Sequence, residues 1–135
     1  MSEATLTAEK LQARFGPAIQ DVTEFHGETT VTVRPASLIE IATFLRDDPE
    51  LRFDHLADMS SLDRSQYPGI NGQPRFAAVY HLLSTRGGQR LRLKAPAPNE
   101  NSPTLPSLTG LWPGANWFER EIFDLMGIRF DGHPD

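Results

Sequence analysis

The sequence predicts a two-layer α+β domain, with helices on one face of a mixed sheet in the order αββαβββ, then a proline-rich arm and a C-terminal helix. Three observations lead there. Segments with apolar residues at helical spacing alternate with short β-branched runs of period two. Glycines and prolines punctuate them where turns and stops are needed. With 135 residues, the chain is long enough to bury one core and too short for two. Residues 1–95 read as the α+β core, and 96–135 as an arm and helix of the same single domain.

The first helix is TAEKLQARFG, with Thr7 as its cap, Ala8, Leu11 and Phe15 on one face, and Gly16-Pro17 as its stop. IQDVTEF (19–25) and TTVTV (29–33) flank a turn around Gly27 and predict an antiparallel hairpin. Pro35 suits the first turn of a helix through LIEIATFL, which would bury Leu38, Ile41, Ala42 and Leu45. FDHLADMSSLD, from Phe53, reads as a third strand leading into a polar loop with Tyr67, Pro68, Gly69, Asn71 and Gly72. RFAAVYHLLST and QRLRLKAP bracket Gly87-Gly88 as a second hairpin, with Leu91 and Leu93 alternating against Arg90, Arg92 and Lys94. After Lys94, APAPNENSPTLPS carries four prolines, and no strand is expected there. The stretch is either a surface loop or an extended arm lying along a partner.

Composition narrows the function. Hydrophobic residues at 39% and charged ones at 23% fit a globular chain rather than a disordered one. A formal charge of −5 leaves no basic excess for a phosphate backbone, so no nucleic-acid partner is expected. No cysteine is present, which excludes disulfides, thiolate chemistry and cysteine-ligated clusters in this chain. The longest apolar run, FAAVY, falls far short of the roughly 20 residues of a membrane span, so direct insertion is not expected. Dinucleotide, P-loop and nucleophile-elbow motifs are missing from the sequence.

The last segment carries the strongest pattern. Asn116 and Glu119 stand at capping-box spacing, which predicts a helix from there to Gly127. On a helical wheel Leu125, Phe118, Ile122, Met126, Glu119 and Phe123 fall on one arc, and Arg120, Asp124, Trp117 and Glu121 on the other. Glu119 therefore sits in the apolar arc, where it needs donors, for which the helix N-terminus is the expected source. Trp117 sits among charges, and burying it against a partner could contribute about 3 to 6 kcal/mol. Arg120 and Asp124 have the spacing of an intrahelical pair. A metal or acid-base site at Glu119, Glu121, Asp124 and His133, as in a small carboxylate-metal hydrolase, is the rival. Carboxylates two apart point to different sides, and His26, His55, His81 and His133 are scattered, so no catalytic, cofactor or metal site is assigned. The residues themselves indicate a binding or structural module without naming its partner.

LTGLWPGANWFEREIFDLMGIRFDGHPD (108–135) strongly resembles the signature region of the C-subunit of bacterial NADH-quinone oxidoreductase, respiratory complex I. The matching residues include Leu111, Trp112, Gly114, Ala115, Trp117, Glu119, Arg120, Glu121, Asp124, Gly127, Ile128, Phe130, Gly132, His133 and Pro134. FDHLADMSSLD and FAAVYHLLS look like the family's central strands. The resemblance implies a hydrophilic-arm subunit with no cofactor and no active site of its own, beside the large quinone-site subunit. FMN and iron-sulfur clusters would sit in partner subunits, and the chain would be peripheral on the cytoplasmic side of the bacterial inner membrane. It also implies a partner interface at Trp112, Trp117, Glu119, Arg120, Glu121, Asp124 and His133. Membrane-bound hydrogenases and related dehydrogenases of photosynthetic membranes share the domain type and stand as the alternative. Family members usually continue beyond Gly-His-Pro-Asp with a basic, leucine-rich extension.

Overall fold

A computed structural model describes residues 3–63, 74–99 and 101–134. Their order is α1 (Glu3–Phe15), β1 (Ile19–Phe25), β2 (Glu28–Val33), α2 (Leu38–Asp47), β3 (His55–Asp63), β4 (Phe76–Leu83), β5 (Arg90–Ala97), β6 (Thr104–Pro106), α3 (Ala115–Met126) and β7 (Arg129–Asp131). Five strands form one sheet in the order β1-β2-β5-β4-β3, and β6 and β7 form a second, two-stranded sheet. Within the large sheet only β2 and β5 run parallel. The polar loop expected around Tyr67 to Gly72 lies outside the described residues.

The register explains why the sheet has one dry face. Val22, Val31, Leu93, Tyr80 and Met59 align in one row across all five strands, and all of them belong to or pack against the core. The next row is Thr23, Thr30, Arg92, His81 and Asp58, which is polar throughout. A one-residue slip would exchange the two rows, so the apolar alternation of β5 fixes the pairing. The helices cover the dry face with Ala8 and Leu11 of α1, Leu38, Ile41, Ala42 and Leu45 of α2, and Ala115 and Ile122 of α3, all buried in one cluster. Leu105, Leu108, Trp112 and Phe130 from beyond residue 95 join that same cluster.

Three local expectations need correction. Helix α1 begins before Thr7; that side chain is buried and accepts a hydrogen bond from Gln89 Nε2 at 2.6 Å, so it ties the helix to the start of β5 instead of capping it. Strand β5 continues through Pro96 to Ala97. It can do so because β2 pairs with β5 only through Lys94, leaving Pro96 with a neighbouring strand on one side only, where a missing donor is tolerated. The proline-rich arm also yields β6, which pairs in parallel with β7.

Candidate functional site

The site is built around α3 and the turn that precedes it. Leu111 and Trp112 both donate their amides to the Leu108 carbonyl at 3.0 Å, and Ala115 donates to Trp112 at 2.9 Å, so the chain coils before the helix proper. Gly114 occupies the cap position without a side-chain bond, and Asn116 lies inside the helix, so the expected capping box does not form. The far end is as expected: Gly127, at φ 75°, takes the left-handed cap and donates to Phe123 at 2.9 Å.

Without the capping box, Glu119 turns inward. It is completely buried, and its two oxygens accept bonds from the Ser107 hydroxyl at 2.7 Å and the Leu108 amide at 2.8 Å. The donors therefore come from the preceding turn, not from the helix N-terminus. Ser107 is itself held by its amide on the Asp131 carbonyl at 2.8 Å and by its hydroxyl against Thr109 at 3.0 Å. One carboxylate thus joins α3 to the ends of β6 and β7. Burial pushes the Glu119 carboxyl above its ordinary value, opposed by the Leu108 amide, the Ser107 hydroxyl and the charge of His133. The fully buried Tyr80 hydroxyl, which has no hydrogen-bond partner among the described residues, is likewise raised by burial and by the charge of Glu119.

The seven residues expected at an interface separate into three groups by burial. Trp112 is buried and donates its indole N–H to the Phe53 carbonyl at 3.1 Å. With Glu119 it belongs to the interior of this chain. His133 is half-buried, its Nε2 lying 3.1 Å from the Asn116 carbonyl. Trp117, Arg120, Glu121 and Asp124 lie on the outer side of α3, and 67% of the Trp117 surface is open. The wheel drew the apolar arc too wide: Phe123 and Leu125 are also exposed, because the face that meets the core runs through the buried Ala115, Glu119 and Ile122 and the half-buried Phe118 and Met126. A groove of about 370 Å³ runs beside the helix, bounded by Glu119, Phe123, Phe130 and His133 among others.

Ser107 and the Leu108 amide were not identifiable as partners from spacing. A carboxylate in an apolar arc was the signal that some buried donor had to exist. Among the described residues no three of His, Cys, Asp and Glu gather where a metal could be held, and no helix is long and apolar enough to cross a membrane.

Comparison with known proteins agrees with this fold. Residues 31–135 match the family model described as respiratory-chain NADH dehydrogenase, 30 Kd subunit. The C-subunit of NADH-quinone oxidoreductase from Burkholderia multivorans is 48% identical over 126 residues, which are 93% of this chain and 63% of that protein. Its counterpart in a Roseiflexus species is also 48% identical, with 69% of its length covered. The chain thus spans about 63% of the Burkholderia relatives. A solved trypsin-resistant fragment (1–134) of Nqo5 superposes with a TM-score of 0.80 at 33% identity, covering 97% of both chains. A chain of the membrane-bound sulfane sulfur reductase, an archaeal respiratory membrane complex, matches with a TM-score of 0.76 at 15% identity over 98% of this chain and 72% of its own, a likeness of fold alone.

Proposed function

The chain belongs to the family of the 30 Kd subunit of respiratory-chain NADH dehydrogenase, and from that membership we propose that it is a hydrophilic-arm subunit of an NADH-quinone oxidoreductase. In this role it carries no redox group. FMN and iron-sulfur clusters in partner subunits move the electrons from NADH to quinone, and this chain supports assembly beside the large quinone-site subunit. Its place is peripheral, on the cytoplasmic side of the membrane.

The observation that carries the reading is Trp117, two-thirds open on a helix face it shares with Arg120, Glu121 and Asp124. A solvated helix gains nothing from that side chain, whereas about 100 to 170 Å² of newly covered apolar area would contribute about 2.5 to 4 kcal/mol to an association. Interior groups hold the face in place: Glu119 pins the helix to the 107–108 turn, and Trp112 pins the helix start to Phe53. The proposed interface is therefore Trp117, Arg120, Glu121 and Asp124, with His133 at its margin.

Co-purification tests this. Trp117→Ala should lower recovery of the large subunit with the tagged chain while leaving thermal unfolding of the isolated chain unchanged. Ile122→Ala, at the buried stripe, should instead cost about 2 to 5 kcal/mol of the chain's own stability. Equal unfolding losses for the two variants, or full recovery of the large subunit with Trp117→Ala, would remove the interface reading.

A further inference from the structure

A second surface lies away from the exposed face of α3. Five charged residues, Arg46, Asp47, Arg52, Asp54 and Arg86, line a cleft of about 330 Å³ between the α2–β3 connection and the β4–β5 turn. Both acids are already engaged. Asp47 takes Arg46 through both oxygens, at 2.7 and 3.1 Å, and Asp54 accepts the Thr85 amide at 2.9 Å and the Thr85 hydroxyl at 2.6 Å. Arg52 and Arg86 are exposed and have no ion-pair partner among the described residues.

The arrangement is built rather than incidental. Asp54 belongs to the segment that carries Arg52, and Thr85 to the turn that carries Arg86, so their two bonds hold the two arginine-bearing segments together at one cleft. Arg52 holds a left-handed backbone, φ 45°, where glycine would be relaxed. The cleft also adjoins the segment leading into α3: Arg46 Nη1 donates to the Leu111 carbonyl at 3.3 Å, and Trp112 to Phe53 at 3.1 Å.

We infer that Arg52 and Arg86 receive carboxylate side chains from an acidic segment of a partner protein. Guanidinium forks match planar carboxylates bidentately. This site is independent of the Trp117 face.

The test is an NMR titration of the isolated chain with a hexaglutamate peptide at low ionic strength, where exposed charge pairs are least screened. Amides of Arg52, Asp54, Thr85 and Arg86 should shift, and Arg52→Gly combined with Arg86→Gln should weaken binding about tenfold. Arg52→Gly suits the local backbone, so the variant should unfold no earlier than the parent, and Arg34→Gln should bind as the parent does. Absence of shifts at those four amides, or undiminished binding by the double variant, overturns the assignment. Equal shifts with inorganic phosphate overturn it too, by showing an unselective anion sink.

Discussion

Replacing Glu119 separates its two effects, because the side chain both terminates buried donors and carries a charge the interior disfavours. In Glu119→Ala the Leu108 amide loses the acceptor it now has at 2.8 Å, which costs about 1 to 3 kcal/mol for a buried unsatisfied donor. The Ser107 hydroxyl is spared, since Thr109 lies 3.0 Å away. Removing the side chain's methylene adds about 0.8 kcal/mol, and relief of the buried charge returns part of the total. The net expectation is a loss of about 1 to 3 kcal/mol. For 135 residues this corresponds to a Tm lower by about 4 to 12 °C. Glu119→Gln keeps an acceptor for the amide and can donate to Ser107 Oγ, so it should stay within about 1 kcal/mol of the parent. Differential scanning calorimetry of the isolated chain measures both. An alanine variant as stable as the parent, or a glutamine variant as damaged as the alanine one, would refute the idea that hydrogen-bond termination is what Glu119 contributes.

Two further expectations follow from the same helix. Because the folded-state pKa of Glu119 lies above its ordinary value of 4.5, its contribution is fully present below that value and is lost as pH rises through the raised pKa. The Tm difference between the parent and Glu119→Gln should therefore move against the parent as pH increases, and a flat difference would contradict the raised pKa. Gly127→Ala meets no atom within 4 Å but keeps φ at +75°. It should lower stability by about 1 to 2 kcal/mol in chemical denaturation, and an unchanged midpoint would show that the helix end relaxes freely.

Much of this architecture was legible because it rests on local periodicity. The hairpin at Gly27, the buried face of α2 and the alternation along β5 each follow from spacing that a single element enforces on itself. The errors occurred where distant partners decide. Thr7 looks like a cap in sequence, but Gln89 claims it from across the fold. Asn116 and Glu119 have the spacing of a capping box, but the carboxylate finds better donors in Ser107 and Leu108. Prolines argued against any strand in the arm, yet β6 needs only three residues and one neighbour. At the site, the charged face of α3 could be read from the wheel, while the burial of Trp112 could not, because its partner is the Phe53 carbonyl, 59 residues away in sequence.

The single parallel pairing has a consequence for how the chain acquires its shape. Val31 pairs with Leu93, so the whole stretch from α2 to β4 must be synthesised after β2 before its neighbour exists. The β1–β2 hairpin can close early on its own short turn, but a lone hairpin is marginal in water. Its apolar row needs β5, which pairs with β4 through a tight turn. Closing the β2–β5 pair, 62 residues apart at Val31 and Leu93, is the longest-range step in building the sheet and the kind that slows folding; until it closes, Val31 and Leu93 both lie on an unpaired strand edge, the feature that favours association with other chains.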